Sequence, residues 1–201
     1  MAYSNFTLEA VRTTFGLETV ESAGTFSEIA PVAPSDHLMT ALSRNVPLAV
    51  AIGTEKAKSE MIVANVLIEL REQFEHRISL FSGIDFSVDV ESGLTGVCDF
   101  LVSLSPEQFY LEAPVIVLVE AKNADVKLGL GQCVAEMLAA QRFNEEKGNN
   151  IQCVYGVTTS GTDWLFLKLE GQKLHIDMGV YAIGQCDKIL GILSSMVSQK
   201  A

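Results

Sequence analysis

Long apolar runs and a secretion signal are both missing from this chain of 201 residues. No apolar stretch reaches the roughly 20 residues that a membrane-spanning helix needs. The first residues, Met1 to Phe6, lack the basic start and the apolar middle of a signal peptide. We therefore expect a cytoplasmic protein with no membrane partner.

Basic residues are scarce, since 14 lysines and arginines stand against 25 aspartates and glutamates and give a net charge of −11. Such a charge opposes nonspecific binding to nucleic acid, which depends on basic surface. The deficit is uneven: residues 54–113 hold 11 acids and 4 bases, whereas residues 114–201 hold 9 acids and 8 bases. The second segment is therefore close to neutral and is compatible with a local basic groove.

Cysteine and glycine motifs that bind metals or nucleotides are also absent. The four cysteines form no CxxC pair and lie in apolar or helical contexts, which predicts buried free thiols in place of disulfides or zinc ligands. The segment Gly129-Leu130-Gly131 is not followed by GK[ST], so it predicts the entry to a helix and no nucleotide cofactor.

What the chain does contain is an apolar run, Val115–Val119, that ends in the charged tripeptide Glu120-Ala121-Lys122. The run is opened by Pro114 and rich in β-branched residues, which predicts a buried strand. Because strand side chains alternate between faces, we expect Glu120 and Lys122 to point the same way.

The preceding strand, predicted over Val97–Leu104, carries Asp99. A hairpin centred near Phe109 and Tyr110 sets Asp99 opposite Glu120, whereas a slip of one residue moves it to the other face.

A further strand is predicted over Ile84–Val90, where apolar and polar residues alternate. A hairpin about Gly93 and Leu94 then places Asp99 beside Val88, on the buried face.

A long helix is predicted from a cap at Thr54 to about Phe74. Its apolar stripe includes Val63 and Leu67, and Glu60 is the one acid on that stripe, so we expect this carboxylate to need a partner. The alternative is an exposed pair between Glu60 and Lys56, one turn earlier.

The order of elements predicts an α/β fold with a mixed sheet. Residues 1–53 form a lead-in packed on the core, with a short helix over Phe6–Phe15, a helix over Asp36–Ser43 capped by Ser35, and prolines breaking the rest into short pieces. Residues 54–201 form the core of what we expect to be a single domain. After the charged tripeptide we expect, in order, the elements Lys127–Glu146 (helix), Ile151–Thr159, Trp164–Leu169 and Lys173–Met178 (strands) and Gln185–Ser198 (helix).

Three acids and one lysine converge in this arrangement, namely Glu60, Asp99, Glu120 and Lys122. Mg²⁺ commonly uses one or two carboxylates together with water, and Asp99 and Glu120 on adjacent strands supply such a pair. Lys122 then orients the water, or accepts a proton if its pKa is lowered by burial.

The segments Gly96-Val97-Cys98-Asp99-Phe100 and Val119–Lys122, with the helix that begins Leu128-Gly129-Leu130-Gly131-Gln132, resemble the PD-(D/E)XK nuclease superfamily. Cys98 stands where the motif name has Pro. The resemblance covers roughly residues 54–160 and implies a restriction-endonuclease-like core, αβββαβ, here with extra C-terminal strands and a helix. The order of elements also resembles a family of uncharacterised cyanobacterial proteins within that superfamily, which implies a fold more than an activity.

The resemblance implies a nuclease that depends on Mg²⁺ (or Mn²⁺) and acts on DNA or RNA. The equivalents of Asp99 and Glu120 bind the metal, with the Ala121 carbonyl as a third ligand, and the equivalent of Lys122 assists the attacking water. An acid on the first helix often joins them, for which Glu60 is the candidate. Gln132 matches a polar position of many members, and a homodimer is a common way to build a substrate groove.

Simpler interpretations exist for each residue. Glu120 and Lys122 can form a solvent-facing ion pair, Asp99 can accept a backbone amide, Gln132 can bond backbone at a helix start, and Glu136 is better explained as structural. The alternative function is a non-enzymatic interaction or regulatory protein that retains the nuclease fold. The acidity favours this alternative, whereas the complete Asp, Glu and Lys set argues against it.

Overall fold

The computed structural model describes residues 2–22, 24–149 and 151–199. It confirms the α/β class: helices flank both faces of an open mixed sheet of eight strands. No helix in the described ranges is long and apolar enough to cross a membrane. The strands, in chain order, are β1 (Glu18–Ser22), β2 (Ser79–Asp85), β3 (Val97–Ser103), β4 (Val115–Ala121), β5 (Val154–Thr159), β6 (Asp163–Glu170), β7 (Lys173–Asp177) and β8 (Tyr181–Ala182).

Six α-helices surround the sheet in the described part of the chain. A π-helical segment, Ser59–Val63, joins α3 to α4, and a 3₁₀ turn, Val126–Gly129, leads into α5. The helices are α1 (Leu8–Phe15), α2 (Asp36–Ile52), α3 (Glu55–Lys58), α4 (Ala64–Gln73), α5 (Leu130–Glu146) and α6 (Cys186–Val197).

The strand order is β1-β7-β6-β5-β4-β3-β2, and β8 also pairs with β6. Strands β2, β3 and β4 are antiparallel, whereas β5 runs parallel to β4 after the crossover through α5. All seven residues of β4 are buried, because α5 covers one face of the sheet and α4 and α6 cover the other. The charged end of β4 therefore lies at the centre of the sheet.

The hairpin between β3 and β4 has the predicted register, with Phe100 opposite Val119 and Leu101 opposite Leu118. One further step along this register sets Asp99 opposite Glu120, as expected.

The register between β2 and β3 differs from the prediction. Ser82 pairs with Phe100 and Ile84 with Cys98, so Asp99 lies across from Gly83 and not beside Val88. Gly83 adopts a left-handed φ of 63°, and β2 ends at Asp85. The predicted strand over residues 84–90 is therefore mostly an irregular connection, in which only Asp89 and Leu94 form a bridge.

The lead-in packs on the core and contains more regular structure than predicted. Ser35 caps α2 as expected, but this helix continues through Pro47 to Ile52. A proline removes one helical hydrogen bond without ending the helix where packing holds the next turn, and Ala49 is fully buried here. Strand β1, which was not predicted, pairs in parallel with β7. A Cβ atom at Gly131 of α5 would lie 2.2 Å from the Phe6 carbonyl oxygen, so the lead-in backbone contacts this helix directly.

The four cysteines are buried free thiols, as predicted.

Candidate functional site

Glu120 and Lys122 point to the same face of the sheet, toward α5, as the strand alternation predicts. The Lys122 ammonium donates to Glu120 Oε1, and the Glu120 side chain is only 2% exposed. A Cβ atom at Gly129 would lie 3.2 Å from Lys122 Cγ and 3.3 Å from Glu120 Cγ. Gly129 therefore leaves room for both side chains beneath the start of α5. This buried pair differs from the solvent-facing ion pair that was the simpler interpretation.

Asp99 approaches the same end of β4 from the neighbouring strand. Its Oδ2 accepts a hydrogen bond of 2.8 Å from the Ala121 amide, so part of its role is the structural one considered above. Burial, first, and the charge of Asp99, second, raise the pKa of Glu120 to about 7 against the opposing effect of Lys122. The two carboxylates are thus close enough to repel each other in a partly dry environment.

Lys122 is held in its charged form. Burial alone lowers the pKa of this amine, but the hydrogen bond and charge of Glu120 outweigh burial and raise it above its ordinary value. A lysine with a raised pKa is a poor proton acceptor at neutral pH. Of the two roles expected for Lys122, orienting a water molecule fits this site and accepting a proton does not.

Gln132, in the first turn of α5, reaches the lysine from the helix side. Its Oε1 lies 3.3 Å from Lys122 Nζ, and its Nε2 donates to Glu136 Oε1 at 3.1 Å. Glu136 is fully buried. Burial, first, and the charge of Glu120, second, raise its pKa well above the usual range.

Three buried oxygens around this cluster have no hydrogen-bond partner among the described residues: Glu120 Oε2, Glu136 Oε2 and Thr158 Oγ1. Thr158 lies on β5 directly beside Glu120. A buried polar atom without a partner is costly, and such atoms are often completed by water or an ion. Carboxylate and hydroxyl oxygens are of the type that a hard divalent cation such as Mg²⁺ or Mn²⁺ accepts as ligands.

A cavity of about 290 Å³ gives access to Asp99 and Ala121 from the opposite side, between β2 and the helix α3. The charged residues that line it are three acids and one base, Glu55, Glu60, Asp99 and Lys56. The other residues that line it are Ser59, Ala64, Ser82, Gly83 and Phe100.

Glu60 does not lie on the buried stripe, so this part of the sequence prediction is wrong. Its side chain is 59% exposed and pairs with Lys56 at 2.6 Å, which was the alternative. Val63 and Leu67 are buried as predicted. The π-helical segment explains the difference, because its wider turn shifts the phase of Glu60 relative to the residues that follow.

Glu55, which directly follows the Thr54 cap, contributes to the electrostatic field of the site. Its charge acts to raise the pKa of both Glu120 and Lys122, although it is the last or a later cause in each case. Glu55 and Glu60 both line the cavity beside Asp99. The only sequence signal for Glu55 was its position directly after the Thr54 cap.

The assembled site is a carboxylate pair with a fixed lysine, backed by a glutamine and a buried glutamate. Within residues 2–22, 24–149 and 151–199, no group of three or more His, Cys, Asp and Glu side chains is arranged to hold a metal ion. Mg²⁺ sites often use only one or two carboxylates and complete their shell with water and carbonyl oxygens. Comparisons of the chain with protein-family models, with curated proteins and with solved structures gave no match.

Proposed function

We propose that this protein is a nuclease that hydrolyses phosphodiester bonds of DNA or RNA with Mg²⁺ or Mn²⁺. The observation that carries the proposal is the meeting of Asp99 and Glu120 across β3 and β4, with the Lys122 ammonium bound to Glu120. Two repelling carboxylates beside a charged lysine have little value for stability, whereas they suit a site for a cation and a phosphate.

The order of elements supports the same proposal. Helices α3 and α4, antiparallel strands β2 to β4, helix α5 and parallel strand β5 follow one another as αβββαβ. This is the order that the resemblance to restriction-endonuclease-like proteins implies, and β6, β7 and α6 correspond to the C-terminal additions expected from the sequence, whereas β8 was not predicted.

In the proposed site, Asp99, Glu120 and the Ala121 carbonyl hold the divalent cation. The bound cation supplies charge stabilisation at the phosphate and a more acidic water. Lys122, kept charged by Glu120, orients the attacking water and offsets negative charge that develops on the phosphate. Gln132 accepts from Lys122 and limits the positions of the ammonium group.

Ionisation of Glu120 sets the pH range over which the site binds a cation. Because the pKa of Glu120 is raised to about 7, its carboxyl is largely protonated below that pH in the absence of a cation. Cation binding requires the ionised form, so affinity and cleavage rise with pH through this region.

Substrate access has to overcome the net charge of −11. The cavity beside Asp99 carries Glu55 and Glu60 as well as Lys56. We propose that a second copy of the chain contributes to the substrate groove, as the resemblance implies. Cleavage that requires a dimer then depends on protein concentration.

Lys122→Met tests the proposal against a matched control, Lys168→Met. Lys168 also forms an ion pair with an acid two residues away on a strand, Glu170, at 3.0 Å. With labelled single- and double-stranded DNA and RNA in Mg²⁺ or Mn²⁺, we expect Lys122→Met to reduce cleavage by about 100- to 1,000-fold. Lys168→Met should cleave like the unmodified protein. Equal loss in both variants, or undiminished cleavage by Lys122→Met, contradicts the proposed role of Lys122.

A non-enzymatic interaction or regulatory protein that keeps this fold is the second candidate. The net negative charge of the cavity favours it, because Glu55, Glu60 and Asp99 outnumber Lys56 among the residues that line it and disfavour a phosphate in the absence of a cation. This candidate predicts cation binding that depends on Glu120 without cleavage of any of the four substrates.

A further inference from the structure

We propose that Glu136 is a positioning residue, which fixes the side-chain amide of Gln132 so that its carbonyl oxygen faces Lys122. The catalytic meaning of this arrangement rests on the proposed function. The arrangement itself is a property of the folded protein and is measurable without activity.

The polarity of the hydrogen-bond chain carries this inference. The Lys122 ammonium can only donate, so Gln132 must present its carbonyl oxygen to it, at 3.3 Å. The Gln132 NH₂ group then needs an acceptor on its other side, and Glu136 Oε1 supplies one at 3.1 Å. Turning the amide by 180° would set NH₂ against the ammonium and would break the hydrogen bond to Glu136 Oε1. Lys122 therefore selects the orientation at one end of the amide, and Glu136 holds the NH₂ group at the other.

The placement of Glu136 on α5 supports a specific role. Gln132 and Glu136 are four residues apart and so lie on the same side of the helix. The neighbours of Glu136 in sequence, Ala135 and Met137, are apolar and fully buried. Glu136 is fully buried as well. A carboxyl group in such a position is expensive, and an apolar residue of similar volume would fill the space with no penalty.

A purely structural role explains the burial of the Glu136 carboxyl group less well. Its one hydrogen bond in the described part of the chain is to Gln132, and its Oε2 has no partner there. Asn144, two turns further along α5, shows what a structural polar residue looks like. Its side chain both donates to and accepts from the backbone of Val115, and so ties the helix to β4.

The matched variants are Glu136→Met and Glu136→Gln. Methionine has a similar size without a strong acceptor, whereas glutamine keeps a carbonyl oxygen for Gln132 and mimics the neutral acid. Gln141→Met on the same helix, outside the chain of hydrogen bonds, controls for the substitution of a polar side chain by methionine. Should Glu136→Met fail to fold, Glu136→Asp withdraws the acceptor by one methylene and serves the same comparison.

The first measurement is the solvent exchange of the Gln132 side-chain NH₂ protons by NMR, with the signals assigned by their loss in Gln132→Ala. We expect exchange to accelerate by about tenfold or more in Glu136→Met, because a protecting hydrogen bond is lost, and to change little in Glu136→Gln and Gln141→Met. Unchanged exchange in folded Glu136→Met overturns the inference.

The second measurement is cleavage, which reports on Lys122. Removal of a residue that orients a catalytic side chain through another residue typically costs about 10- to 100-fold in activity. We expect this loss in kcat with KM nearly unchanged for Glu136→Met, and near-normal kcat for Glu136→Gln. Equal losses in both variants overturn the positioning role, since the acceptor is retained in one of them. If the unmodified protein cleaves nothing, the proposed function fails, while the exchange measurement still decides the inference.

Discussion

Asp177 and Glu120 are both buried acids at the ends of strands, yet their surroundings differ completely. Asp177 ends β7 and has no exposed surface, whereas Glu120 lies near the end of β4 and is 2% exposed. Glu120 accepts one hydrogen bond, from Lys122, and its Oε2 has no partner in the described residues. Both oxygens of Asp177 accept two hydrogen bonds each, from the donors Gly24 N, Gly179 N, Phe26 N and Tyr181 Oη.

The difference separates an acid that holds the fold together from one that the fold tolerates. Asp177 fastens the lead-in at residues 24–26 to the end of the sheet, and its four donors compensate its burial. Glu120 is buried beside a second carboxylate and lacks such compensation, which raises its pKa to about 7. Uncompensated burial of this kind is typical of sites where a ligand completes the set of contacts.

The largest effect on stability is expected for Asp177→Asn. The asparagine amide replaces one carboxylate oxygen, which accepts hydrogen bonds, by an NH₂ group, which cannot accept them. At least one buried N–H or O–H group therefore loses its acceptor. We expect the free energy of unfolding to fall by about 2 to 4 kcal/mol, as measured by urea denaturation. A loss of less than about 1 kcal/mol would mean that the lead-in is held to the sheet mainly by contacts other than those of Asp177.

Glu120→Gln should change stability in the opposite direction when a chelator removes divalent cations. The folded-state pKa of Glu120, about 7, exceeds its ordinary value of 4.5, so the folded protein holds this proton more tightly than the unfolded chain. The unmodified protein therefore loses stability as pH rises from 4.5 to 7, and the neutral amide does not. We expect Glu120→Gln to be more stable by about 1 to 3 kcal/mol above pH 7 and to gain nothing below pH 4.5.

Urea denaturation at a series of pH values decides this prediction. A Glu120→Gln variant that is less stable at every pH would show that the ion pair with Lys122 stabilises the fold. The comparison with Asp177 would then fail.

The smallest effect is expected for Glu60→Gln. Glu60 and Lys56 form an exposed ion pair, since 59% of the Glu60 side chain and 82% of the Lys56 side chain are exposed. Such pairs contribute little to stability. We expect a change of less than about 0.5 kcal/mol in unfolding free energy. A larger effect on stability would contradict the small contribution of this exposed pair. A marked loss of cation affinity in a Mn²⁺ titration would support the place in the metal site that the sequence predicts for Glu60.

The parts of the site that the sequence predicted are those set by short-range periodicity. Alternation along β4 places Glu120 and Lys122 on one face, and the short connection between β3 and β4 sets Asp99 opposite Glu120. Both inferences need only a strand and a nearby turn.

The parts that were missed depend on local irregularities and on distant packing. The π-helical segment moves Glu60 off the predicted buried stripe, and the left-handed Gly83 accompanies a shift in the pairing of β2. Helical phase puts Glu136 on one side with Gln132, but only the packing of α5 on β4 and β5 turns that side toward the lysine. Thr158 joins the site through a parallel pair of strands, whose register the sequence does not specify.

Mn²⁺ binding is the most direct test of the claim that Glu120, whose Oε2 has no partner among the described residues, serves to hold a cation. We would titrate Mn²⁺ by calorimetry at a pH above 7 into the unmodified protein, Glu120→Gln and the control Glu170→Gln, whose acid belongs to the exposed pair on β6. We predict binding by the unmodified protein and by Glu170→Gln, and affinity weaker by about tenfold or more in Glu120→Gln. Equal affinity in all three proteins, or no binding by any, would contradict the claim.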